Sequence, residues 1–163
     1  MNNSKNIDRI IEGIAAGESV LQLEVEAQNI DLNAIGIRGR TPLMVAAAEG
    51  LLAVVEMLVR NGASVNVAGR GEMTALHEAC ATGEVAVANF LLSIGAEIDA
   101  ETVDGVTPLM CTAAWGNCDA AMLLLEHRAD SRKRERSGAT ASDIAREKEE
   151  ASTANLIDSF AAE

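Results

Sequence analysis

The chain has 163 residues and is acidic, with 25 Asp and Glu against 13 Lys and Arg, a net charge of −12. That charge repels phosphate backbones and anionic lipid, which argues against generic nucleic-acid or membrane-surface binding and is compatible with a basic partner. Hydrophobic residues make up 48% but aromatics only 2%, so the length can bury one sizeable core, built of Leu, Val, Ile, Met and Ala at close approach rather than the aromatic-rich core of a sandwich or barrel.

From the N-terminus, Met1 to Asn6 leads into a mixed polar segment with no apolar leader core. No uninterrupted apolar run approaches the length of a membrane span. Three cysteines, Cys80, Cys111 and Cys118, are an odd set without a disulfide framework and point to a reducing compartment. The expectation is a soluble, cytoplasmic, monomeric protein.

The first structured signal is Arg40-Thr41-Pro42-Leu43-Met44. Thr41 suits an N-cap, and Pro42 suits the first helical position, where its missing N–H costs nothing. A 33-residue step leads to Thr74-Ala75-Leu76-His77, a second to Thr107-Pro108-Leu109-Met110, and a third to Thr140-Ala141-Ser142-Asp143. The blocks 37–69, 70–102 and 103–135 each read as turn, short helix, glycine, second helix, Gly-Ala and extended segment. Gly50, Gly83 and Gly116 mark the break between helices, and Gly62 and Gly95 the end of the second. Residues 1–36 and 136–163 are weaker copies: Asp8-Arg9 stands where Thr-Pro would, and the last helix is expected to end near Phe160. Small residues in the first helices (Ala46, Ala47, Ala79, Cys80, Thr112, Ala113) allow close stacking.

This pattern resembles the ankyrin repeat, whose period is 33 and whose signature is Thr-Pro-Leu-His-x-Ala-Ala. The resemblance implies a single all-α domain, a helix-turn-helix solenoid with short β-turn or hairpin fingers, made of three full repeats between two capping repeats. Some residues depart from the family. Met44 and Met110 stand where the family places a His that ties neighbouring turns, leaving only His77. Ala75 replaces Pro and Glu72 replaces a turn glycine, so the second finger is expected to be the loosest. Asn29 and Arg128 replace the glycine after the second helix; Arg in a left-handed conformation costs about 1 kcal/mol, so the third repeat is expected to be strained or to bend differently there.

No catalytic, cofactor or metal constellation is present. His77 and His127 lie 50 residues apart; His77-Glu78 lacks the second His of a metalloprotease motif; Cys111 and Cys118 have no companion ligands. The expected function is therefore non-enzymatic: protein–protein interaction, or inhibition or protection of a partner enzyme or toxin by occlusion.

The resemblance implies binding along a concave face made of turn tips and the exposed sides of first helices. At the tips stand Ile37, Arg38 and Arg40, then Arg70 and Met73, then Val103, Asp104 and Val106, then Arg132 and Arg134; Glu49, Thr82 and Trp115 stand at the helix ends. Trp115, the single Trp, is the favoured contact, flanked by an apolar strip of Ile37, Met73, Val103 and Val106. Charge is uneven: residues 37–69 carry +1 and 70–102 carry −5, and Arg132-Lys133-Arg134-Glu135-Arg136 is a basic tip that could meet an acidic partner.

Overall fold

A computed structural model describes residues 3–27 and 30–161, apart from the side chains of Asn3, Ser4, Lys5, Leu21, Val25 and Ile37. Asn29 lies outside the described residues. Ten α-helices form among them: α1 (Asn3–Ala15), α2 (Val20–Ala27), α3 (Pro42–Ala48), α4 (Leu52–Arg60), α5 (Ala75–Thr82), α6 (Val85–Ser93), α7 (Pro108–Trp115), α8 (Cys118–Glu126), α9 (Ala141–Glu147) and α10 (Ala151–Ala161). The odd-numbered helices stack as an inner layer, the even-numbered ones as an outer layer, and each inner helix packs on the outer helix that follows it. The inner helices pack more closely than the outer ones because Ala46, Ala47, Ala79, Ala113 and Ala145 are fully buried between them. Closer spacing on the inner side curves the stack toward it. This is the all-α solenoid that the 33-residue period implies.

The threonines start the inner helices. Thr41, Thr74, Thr107 and Thr140 are extended N-caps whose hydroxyls accept the backbone N–H three residues on, at 3.3 to 3.5 Å. The N-terminal copy has no such stop. Its first helix α1 runs back to Asn3 and buries Ile7, Ile10, Ile11 and Ile14 along one face.

Each inner helix ends at a left-handed residue: Gly50, Gly83 and Gly116 have φ of 68°, 80° and 68°, and Glu149 fills the same place in the last copy at 65°. Arg128 takes φ 68° where Gly62 and Gly95 take 98° and 94°. The backbone closes identically after all three: Ala63, Ala96 and Ala129 each donate N–H five residues back, at 2.9, 2.9 and 3.0 Å. The third repeat thus carries the strain without the altered bend, because surrounding hydrogen bonds fix the path.

The fingers are turns rather than paired strands, and no strand forms among the described residues. One backbone bond closes each: Gly36 N–H to Arg40 O (2.9 Å), Gly69 to Met73 (2.8 Å), Thr102 to Val106 (3.0 Å) and Glu135 to Ala139 (3.1 Å). The second finger is not loose. Glu72 accepts a left-handed φ of 62° behind Gly71, and the closing bond is the shortest of the four. Consecutive fingers are also tied, with Val103 N–H donating to Gly71 O (3.0 Å) and Arg136 N–H to Asp104 O (2.7 Å). In the segments that lead from the second helices to the fingers, Asn33 and Asn66 each reach one repeat forward. Their amides donate to Gly62 O and Gly95 O, and their carbonyls accept from Ser64 and Glu97 N–H; Asp99 accepts from Asp130 N–H in the same way.

Candidate interaction face

Two kinds of position line the inner side: the fingers, and the exposed side of the inner helices. On the helices, Trp115 is the outstanding side chain. It closes α7 and is 69% exposed, so it does not pack on a neighbouring turn. Glu49 and Thr82 occupy the same place on α3 and α5 and are exposed too. Thr82 turns its hydroxyl back to Glu78 O (3.0 Å), within its own helix.

The expected apolar strip is broken. Val103 is exposed at 57%, but Val106 and Met73 are only partly so, and Val106 packs on the core. The side chain of Ile37 lies outside the described residues. Val106 precedes the N-cap of α7 and Trp115 ends that helix, so they stand about 10 Å apart along its axis. Trp115 and the finger valines therefore mark opposite edges of one face, and the expectation that they sit side by side is corrected.

The arginines divide into engaged and free. Arg40 pairs with Glu78 at 2.7 Å across two repeats. Arg136 pairs with Asp104 (2.7 Å) and donates to Val103 O (3.1 Å); Lys133 pairs with Glu101; Arg132 pairs with Asp130 (3.3 Å); Arg134 donates to Gly138 O (2.6 Å). Three cations of the basic tip, Arg132, Lys133 and Arg136, thus meet the carboxylates Asp130, Glu101 and Asp104, while Arg134 bonds only a backbone carbonyl, so most of the tip's positive charge is neutralised. Arg38 and Arg70 remain exposed on the first two fingers. Arg38 is held at φ 61°, and the Cβ of Arg70 lies so close to Gly39 that no side chain fits there.

Glu78 was missed as a site residue. It is 6% exposed, in the column that holds Val45, Cys111 and Ile144 in the other repeats. Burial raises its pKa and Arg40 opposes the shift. The signal available was a charge in an otherwise apolar column. Its neighbour Cys111 is pushed up to about 12, by burial and then by the Glu78 charge; burial also raises Cys80. Both thiols are protonated and unreactive at neutral pH.

His77 is fully buried. Its Nδ1 accepts from the Thr74 N–H (3.2 Å) and meets the Thr74 hydroxyl (2.9 Å), while Nε2–H donates to Val106 O (3.0 Å) in the next finger. Met44 and Met110 reproduce only the local half: each sulfur accepts the threonine N–H at 3.4 Å. His127 is exposed and bonds Leu123 O within its own turn. Among the described residues, no three His, Cys, Asp or Glu side chains are placed to share a metal ion. No described helix is long and apolar enough to cross a membrane.

The sequence matches the family model for ankyrin repeats in three copies over residues 11–102, and the single ankyrin-repeat model over 104–135. It is also similar to ankyrin repeat family A protein 2 of Mus musculus, Bos taurus and Homo sapiens, with 45% identity over 58 residues in each case. That similarity covers 35% of this chain and only 18% of each relative.

Proposed function

The chain belongs to the ankyrin-repeat family, and we propose on that footing that it is a non-enzymatic module that holds a protein partner against its inner-helix face. The observation that carries this reading is Trp115. A side chain of that size, 69% exposed on a helix whose other large residues are buried, loses apolar surface to water only when something covers it. The scaffold around it is ordered in advance by caps, finger bonds and the Asn ladder, so a partner meets a formed surface and little ordering entropy opposes binding. The module acts as a monomer in the cytoplasm, with no nucleic-acid or membrane partner. The test is affinity capture with the full chain against Trp115→Ala combined with Met73→Ala. Loss of the captured partner with an unchanged far-UV circular dichroism spectrum supports the face; undiminished capture overturns it.

A further inference from the structure

We propose that the segment docking on Trp115 is basic, and that a lysine or arginine of the partner stacks on the indole at the acidic edge of the inner-helix face. This rests on the inner-face reading above and adds the chemistry of the occupant. The edge away from the fingers is where the inner helices end and the outer helices begin, so the two sets of helix dipoles oppose each other there and the side chains set its sign. Those side chains are mostly carboxylates. Glu49 is the C-cap of α3 and Glu147 the last residue of α9. Glu84 and Glu150 lie over Gly50 and Gly116, so near that a Cβ on either glycine would collide with the carboxylate. Gly116 directly follows Trp115, so the Glu150 carboxylate stands over the residue next to the exposed tryptophan.

Glu84 is the N-cap of α6 and Glu150 directly precedes α10, so an anion suits those two positions, whereas Glu49 and Glu147 stand at helix C-termini, which favour cations. With Glu149 beside them these carboxylates stand against Lys148, while Arg146 is drawn away to Asp158 and Asp143. The excess of negative charge complements an incoming cation. An indole face attracts such a cation through its quadrupole, most strongly when water is excluded. The fingers at the other edge show the reverse arrangement, with Arg38, Arg70 and Arg134 exposed and in no ion pair, so the polarity across the face also sets which way a charged segment lies.

Trp115 is the single tryptophan, so its fluorescence reports this position and no other. A peptide of about ten lysines is titrated into the full chain, with a ten-glutamate peptide and a neutral leucine–serine peptide of the same length as comparators. The lysine peptide is expected to change Trp115 emission saturably, with affinity falling at least about tenfold between about 0.05 M and about 0.3 M salt. Glu84→Gln with Glu150→Gln weakens it several-fold. Glu56→Gln with Glu126→Gln, on the outer helices, alters net charge equally and leaves it unchanged. The proposal is overturned if the lysine peptide leaves the emission unaltered, if both charge pairs act alike, or if the neutral peptide produces the larger change. In that event a partner captured through Trp115 still supports the inner face, and only the basic character of the occupant fails. Loss of the inner-face reading shows instead as undiminished capture by Trp115→Ala.

Discussion

Replacing His77 with methionine separates the two halves of its role, because the molecule already holds methionine at 44 and 110. The variant keeps a local acceptor for the Thr74 N–H, as the sulfurs of Met44 and Met110 do for Thr41 and Thr107. It loses the 3.0 Å bond from Nε2–H to Val106 O. Val106 O still accepts from Thr102 N–H at 3.0 Å, so no carbonyl is left unpaired. The lost bond costs about 1 kcal/mol, and the more apolar side chain offsets part of it, so the net loss near neutral pH stays below about 1 kcal/mol.

The pH dependence is sharper. Burial pushes the imidazole below its ordinary value, and the Val106 and Ala100 carbonyls pull it partly back. Geometry adds a reason: Nδ1 faces a backbone N–H that can only donate, so it must stay unprotonated in the fold. The unfolded chain therefore takes up this proton first as pH falls through about 6.5. Wild-type stability drops there by up to about 1.4 kcal/mol per pH unit until the folded value is reached, and the variant lacks this loss. Urea unfolding followed by circular dichroism, in steps from about pH 7.5 to about pH 5.5, checks it, since titrations common to both proteins cancel in the difference. The variant should gain on the wild type as pH falls. A difference that does not change with pH refutes the reasoning.

Arg128→Gly should raise the thermal midpoint, relieving a left-handed arginine by about 0.5–1 kcal/mol, because the path it leaves unchanged is the one Gly62 and Gly95 follow. Glu84→Asn and Glu150→Asn should each stabilise by about 0.5–1 kcal/mol in urea unfolding. Their equivalent, Asn117, donates to the carbonyls of Cys80 and Ala81 at 3.0 Å, a bond an ionised carboxylate cannot make. Arg40→Gln leaves the Glu78 carboxylate buried without a cation and should cost about 1–3 kcal/mol near neutral pH, less than a fully buried pair because Arg40 is partly exposed. Its folded-state pKa, already raised, then rises further. The folded variant binds the extra proton, and the deficit should shrink as pH falls through that raised value toward about 4.5, as pH-dependent unfolding would show.

The repeat was legible because its markers are local. A threonine that caps, a proline that fits the first helical turn and a glycine that takes a left-handed φ each act through their own backbone, so spacing alone gives the helices and the fingers. What spacing could not give depends on neighbours one or two repeats away. Arg128 and Glu72 look like defects in isolation, yet hydrogen bonds on either side hold them in the common path. The Arg132–Arg136 run looks basic along the chain, but Glu101 and Asp104 arrive from the preceding repeat to neutralise it. Glu78 looked like half of a failed metal motif; only the stack shows Arg40 reaching it from the first finger. Trp115 was legible as exposed because its column in the other repeats is polar. Its separation from Val103 and Val106 follows from the length of α7.

Binding on the inner face stands or falls with Trp115. The most direct measurement is the affinity of the captured partner for Trp115→Ala beside Met122→Ala, since Met122 is a comparably placed apolar side chain on outer helix α8, 38% exposed. Trp115→Ala should weaken binding by more than about 2 kcal/mol, roughly thirtyfold, with Met122→Ala near wild type. Unchanged affinity in Trp115→Ala, with the loss appearing in Met122→Ala, would place the partner on the outer helices and contradict the account.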